Sequence, residues 1–306
     1  MQIKLLVLSL IITSICYAQH NQEFYRLKVP QDSALIANNQ GLYAQEITNA
    51  NAKAYYNLAQ ANWRTKNNAV ALTMFTVIEQ SELPFFNTDY TVGSDIAGDR
   101  TTKVYGYGSA TINYKNKASI YLAKLHIEAG RFTKALSYLE LAKNTYTTSF
   151  SCGTGSSAYG KTMNQLYALC YEGLNQPEKV IELLLPNAIK SRDNNEILAR
   201  VLKAKYTRQQ LKEIKELGLA SIEFTLNDYP STGTTIYNYG TSNAYKVESQ
   251  HTTGKGTIEL FGETLELPIP YLKDGLTATR EDFVTVFKDS NLYYLLFEYW
   301  EVVLDD

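Results

Sequence analysis

The chain has 306 residues, 45% of them hydrophobic, and 31 acidic against 29 basic side chains give it a net charge of -2. That length accommodates one large domain or two modest ones, each with its own core. Acids and bases are interspersed, which argues against nucleic acid as a partner and against an acidic tail for a cationic one.

The first residues, MQIKLLVLSLIITSICYAQ, carry Lys4 in a short leading region, an apolar run from Leu5 to Ile15, and Ala18 before Gln19. This pattern predicts a signal peptide over residues 1–18, cut after Ala18, and an exported chain, periplasmic or secreted. The run is too short to span a bilayer comfortably. A lipoprotein modified at Cys16 ranks second, because Ile15 stands where such signals usually want Gly, Ala or Ser. No later apolar run is long enough to cross a membrane, so no transmembrane segment is expected in the mature chain.

After a lead-in segment over 19–49, helical periodicity takes over. Ala54–Pro84 places Tyr55, Leu58 and Ala59 on one helical face, then Ala71 and Phe75 on a second helix. Ala118–Asn144 gives Leu122 and Ala123, then Ala135 and Leu139; Asn164–Pro186 gives Tyr167 and Ala168, then Val180 and Leu184. In each, a small residue follows the first helix's alanine by twelve positions, and a large one follows four later. That spacing predicts helical hairpins whose axes approach closely over small residues and are sealed by large ones. Turns are expected at Lys66-Asn67-Asn68, at Gly130-Arg131 and at Leu174–Pro177, with Pro177 opening a helix.

These units resemble tetratricopeptide repeats. Tyr55, Leu58, Ala59, Ala71 and Phe75 match the signature in the first unit, with Pro84 one place late. Leu122, Ala123, Ala135 and Ala142 match in the second, where His126 takes the usual tyrosine position; Ala168 and Tyr171 match in the third, where Val180 replaces alanine. Long inserts separate the units, and the resemblance covers Ala50 to Pro186. It implies a scaffold whose first helices line an inner face that holds a peptide or partner protein. Carried over by position, the binding residues would be Tyr56, Gln60 and Trp63, then Ile120, Lys124 and Ile127, then Gln165, Leu169 and Glu172. Tyr56, Gln60, Trp63, Lys124, Gln165 and Glu172 are the preferred set, with Trp63 as the expected anchor.

The insert before the third unit contains Gly155, Gly160, Lys161 and Thr162, a full match to the phosphate-loop pattern. A working loop needs a strand before it and a parallel sheet around it, whereas helical hairpins flank this one. A glycine-rich surface loop is therefore expected; a nucleotide-binding enzyme, or a hydrolase with its site in the C-terminal domain, stays as the alternative. After signal cleavage only Cys152 and Cys170 remain, a candidate disulfide if Gly153–Gly160 folds back over the following helix. The histidines are His20, His126 and His251; His126 reads as a packing residue. Glu263/Glu266 and Asp95/Asp99 read as solvated carboxylates. No catalytic residue, metal site or cofactor is assigned.

Two further helices follow over 194–218, with Thr207 as an N-cap and Gly218 as a C-cap. The period then changes to two. LASIEFTL alternates, TIELFGETLEL reads as a hairpin turning at Phe261-Gly262-Glu263, and IYNYGTSNAYKVES could add strands. Thr279 caps a short helix, and an aromatic segment closes the chain. The fold expected is mainly α: tetratricopeptide-like helical hairpin repeats over 50–218, followed by a small α+β domain over 219–306.

Overall fold

Alanines set how closely the first helices approach. A computed structural model describes residues 30–83, 113–148, 150, 153–227, 234–237, 245–248, 253–270 and 278–299. These residues are mainly helical, with a small three-stranded antiparallel sheet. The chain divides into two compact units, Met1–Gln176 and Pro177–Asp306. Residues 1–18, expected as a signal peptide, and His20, Asp95, Asp99, Cys152 and His251 lie outside the described residues.

In the first unit, α1 (Pro30–Asn38) and a 3-10 turn (Gln40–Ala44) precede α2 (Ala52–Arg64) and α3 (Asn68–Gln80). Then come α4 (Tyr114–Glu128), α5 (Phe132–Glu140), a π-helical turn (Leu141–Thr145) and α6 (Gly153–Gly173). Each helix packs on the next in sequence. Ala59, Ala71, Ala123 and Ala135 are fully buried, as are Phe75 and Leu139. Small residues let the helix axes close up, and the larger ones seal the gap.

The three expected turns share one backbone geometry. Lys66, Gly130 and Asn175 have φ of +63°, +69° and +55°. In each case the next amide donates to a carbonyl five residues back: Asn67 to Asn62 at 2.8 Å, Arg131 to His126 at 2.8 Å, Gln176 to Tyr171 at 2.9 Å. The left-handed residue itself donates three back, to the carbonyls of Trp63, Ile127 and Glu172. This is the Schellman stop, which satisfies the last carbonyls of a helix. A new helix starts two residues later every time, at Asn68, Phe132 and Pro177. Only one of the three left-handed positions is glycine, so the turn is repeated where the residue type is not.

Two asparagines lock the start of α4. Asn113 caps it, its side chain accepting from the Asn116 amide at 3.0 Å, and its own amide group donates to the Thr147 carbonyl at 2.9 Å. The buried Asn116 donates to the carbonyls of Ala142 at 2.7 Å and Tyr146 at 2.8 Å. The π-helical turn breaks the regular hydrogen-bond ladder there, and Asn116 supplies the donors that buried carbonyls require.

The second unit contains α7 (Pro177–Leu184), α8 (Asn195–Lys205) and α9 (Arg208–Ala220), then β1 (Glu223–Asn227), β2 (Thr234–Tyr237) and β3 (Tyr245–Glu248). It continues with β4 (Thr253–Leu260), β5 (Glu263–Leu267), α10 (Arg280–Lys288) and α11 (Asn291–Tyr293), which runs into a π-helical turn (Tyr294–Glu298). The sheet order is β1-β4-β5, antiparallel throughout, and β2 pairs with β3 separately. The β4–β5 hairpin turns at Phe261-Gly262, where φ is +55° and +83°, and Leu260 pairs with Glu263. Two positive φ values in a two-residue loop match the right-handed strand twist.

Burial alternates as period two demands. Gly256, Ile258 and Leu260 of β4 and Leu265 and Leu267 of β5 are buried, while Lys255, Glu259, Thr264 and Glu266 are exposed. Helix α10 covers the buried face through Phe283: a Cβ on Gly256 would stand 2.4 Å from that ring. Helix α9 covers it through Gly218. The expected C-cap role of Gly218 is corrected by this contact, since the helix continues to Ala220 and a Cβ there would lie 2.6 Å from a Leu260 methyl. That packing also explains why α9 clusters with the sheet, and why the units divide earlier than the change of period at 218/219. Thr207 and Thr279 both form capping boxes, with Gln210 and Asp282.

Candidate functional site

Of the residues expected on the inner face of the first two hairpins, Tyr56, Gln60, Trp63 and Lys124 lie together between α2 and α4. Gln60 is the hinge of the arrangement. Its amide group donates to the Tyr56 hydroxyl at 2.9 Å and to the Tyr121 hydroxyl at 2.8 Å. Tyr121 stacks on Phe75 at 4.8 Å between centroids and meets Trp63 edge-on at 5.0 Å. Trp63 and Tyr56 are 6% and 7% exposed and belong to the core cluster.

That burial corrects the anchor role given to Trp63. Its ring is packed under Tyr121 rather than protruding, and Ile127 and Leu169 are core as well. What stays half-exposed is the rim: Gln60, Arg64, Lys117, Ile120, Tyr121 and Lys124. Lys124 Nζ lies 4.9 Å from the Tyr121 centroid and 5.6 Å from that of Trp63. Lys117 Nζ lies 5.6 Å from the Tyr56 centroid. Burial lowers the pKa of both lysines from the ordinary value, and the Glu128 carboxylate partly offsets this for Lys124. Burial likewise raises the pKa of Tyr56 well above, and that of Tyr121 above, the usual phenol value. The phenols therefore stay neutral. The face thus presents hydroxyl and amide groups beside two cations held over aromatic rings, which suits polar recognition.

Sequence reasoning passed over two members. Tyr121 is one residue from Ile120 and three from Lys124, so helical spacing places it on the same side. Asp32 of α1, 3% exposed, clamps Arg64 in a bidentate pair at 2.7 and 2.8 Å. With Gln31, Leu35, Asn38, Asn39 and Asn57 the pair lines a cleft of about 450 Å³. Nothing local in the lead-in segment signals that a residue thirty-two positions away completes the contact.

On α6, Gln165 and Glu172 are half-buried and lie two turns apart on one side of the helix. The phosphate-loop match also falls on α6: Gly155 to Thr162 are its early turns, not a loop. Beyond the first turn the backbone amides are committed to the helix ladder, and the Thr162 hydroxyl donates to the Ala158 carbonyl at 3.0 Å. The expected surface loop is corrected on the same ground. Tyr159 holds this stretch in place: its ring meets that of Phe150 at a tilt, 5.2 Å between centroids, and its hydroxyl accepts from Asn116 at 3.1 Å.

Cys170 is a free, fully buried thiol, and burial pushes its pKa up to about 12. The pairing with Cys152 required Gly153–Gly160 to fold back, whereas those residues begin α6. Seventeen residues of helix put Gly153 about 25 Å from Cys170 at 1.5 Å per residue, beyond the Cα separation of roughly 7 Å that a disulfide tolerates. His126 is 3% exposed and stacked on Tyr138 at 5.4 Å, with its Nδ1 unpartnered. Burial first, then the Arg131 and Lys134 charges, lowers its pKa to about 4.

Among the described residues no three His, Cys, Asp or Glu side chains come together in a way that could hold a metal ion. No described helix is long and apolar enough to cross a membrane. No protein-family model matches the chain, and no curated protein or solved structure shows significant similarity to it.

Proposed function

We propose that the chain is an exported scaffold of tetratricopeptide-like hairpins that holds a peptide or partner protein along the rim of its first helices. The supporting observation is the juxtaposition of Gln60, Tyr121 and Lys124 across α2 and α4. Two consecutive first helices present polar, half-exposed groups over a rigid aromatic floor. Rings locked by packing lose little entropy when a ligand arrives, so hydrogen bonds and cation contacts at their edges are preorganised. The repeated Schellman turns support the repeat reading, because they set the start of each second helix at the same place relative to the first.

Gln60→Ala combined with Lys124→Glu tests this assignment on the mature protein. Capture of the native partner should fall at least tenfold, while the melting temperature stays within a few degrees of wild type. Undiminished capture by a folded double variant would move the binding surface elsewhere.

A further inference from the structure

The second unit carries a groove lined by three cations and no carboxylate, and the geometry points to a second site there, for an extended acidic peptide. Arg208, Lys212 and Lys215 succeed one another on α9 at spacings of four and three, so they share one side of the helix. They line a groove of about 460 Å³ whose floor is Leu211, Leu296 and Phe297. That volume lies within the roughly 300–1,000 Å³ typical of ligand pockets. Lys215 Nζ sits 6.0 Å from the Phe297 centroid. Four other cations of this unit are engaged: Lys190 with Glu266, Lys205 with Glu178 at 3.4 Å, Lys255 with Glu266 at 3.7 Å, and Arg280 on the Leu219 carbonyl at 2.5 Å. Among the described residues, none of the three groove cations makes an ion pair or hydrogen bond. Glu213 and Glu216 of the same helix lie outside the groove lining, so the groove itself is positive.

The shape of the stripe selects the ligand. From Arg208 to Lys215 the helix rises about 10 Å, so the cations form a line rather than converging on one point. A single phosphate group would reach one or two of them. In an extended peptide, alternate residues repeat about every 6.6 Å on one side, which lets two carboxylates engage the stripe. A lipid surface fits poorly, because Leu211, Leu296 and Phe297 are 2%, 1% and 6% exposed at the bottom of a concavity. The α9 N-terminus adds little of its own, since the Thr207–Gln210 capping box already occupies its leading amides.

Fluorescence anisotropy of the full mature chain tests the site. The probe is a labelled hexapeptide of alternating Glu and Leu, compared with its Gln–Leu counterpart, inorganic phosphate and phosphatidylglycerol vesicles. The acidic peptide should bind and the Gln–Leu peptide should not. Affinity should fall steeply as salt is raised beyond the point where the Debye length drops below about 10 Å. Lys212→Glu with Lys215→Glu should weaken binding at least tenfold, with an unchanged circular-dichroism melt, whereas Lys124→Glu should leave it intact. Lys212→Ala with Lys215→Ala is the milder pair should charge reversal unfold the unit. Binding insensitive to both pairs, no peptide binding, or phosphate or vesicles competing as well as the peptide would overturn the assignment.

Discussion

The two units solve the problem of a small core in opposite ways. In the first, aromatic rings and asparagines from helices far apart in sequence interlock: Tyr121 lies on Phe75, Trp63 meets Tyr121, and Asn116 feeds the carbonyls beyond α5. In the second, a short sheet with strict alternation is covered by two helices at glycines that leave room for Phe283 and Leu260. Interlocking cores bury polar and aromatic groups that resemble binding residues when read one helix at a time. Alternating strands declare their buried face directly.

The sharpest break in that comparison is Trp63→Ala. With Trp63 at 6% exposure inside the core cluster, truncation should cost about 3–5 kcal/mol, the range for a large buried aromatic. The melting temperature of the mature protein would drop by many degrees. A variant that melts like wild type would return Trp63 to the surface as a binding anchor.

His126 gives the next effect. Its folded pKa of about 4 lies below the ordinary imidazole value of 6.5, so the unfolded chain takes up the proton first as pH falls. The contribution is complete above pH 6.5 and is lost on descending toward pH 4. At 1.36 kcal/mol per pKa unit the loss is about 3 kcal/mol. Urea midpoints measured across that window should steepen for wild type and flatten for His126→Leu; equal slopes would remove the buried neutral imidazole from the account.

In the second unit, Gly256→Ala should destabilise by about 1–3 kcal/mol, because the new methyl meets the Phe283 ring and overpacking displaces it. Recovery of stability in Gly256→Ala combined with Phe283→Leu would identify that contact as the cause. The smallest effect is at a turn. Lys66 occupies a left-handed position that Gly130 fills in the next helical turn of the same kind, so Lys66→Gly should stabilise by at most about 1 kcal/mol. A destabilised Lys66→Gly would mean that the lysine side chain contributes more than its backbone costs.

Much of the fold is legible in the sequence because its signals are local. The twelve-residue offset of small residues marks the hairpins, Thr207 and Thr279 announce their helices, and Phe261-Gly262 announces the β4–β5 turn. The rest depends on partners distant in the chain. Gly155 to Thr162 carry poor intrinsic helix propensity, yet Tyr159 is tied to Asn116 and Phe150 and the segment is helical. Gly218 looks like a stop until β4 arrives against it. The candidate site divides along the same line. Gln60 and Lys124 follow from helical position, whereas the burial of Tyr56 and Trp63 depends on Tyr121, and the Arg64 clamp depends on Asp32.

Whether the first-helix rim of the hairpins meets a partner is tested most directly by site-specific photocrosslinking in cells that produce the protein. A photoreactive residue at Gln60, Lys124 or Gln165 should give adducts with a partner protein or peptide. The same residue at the exposed Thr73 of α3 or Thr133 of α5 should give none. Adducts from the second-helix positions, with silence at all three first-helix positions, would contradict the account.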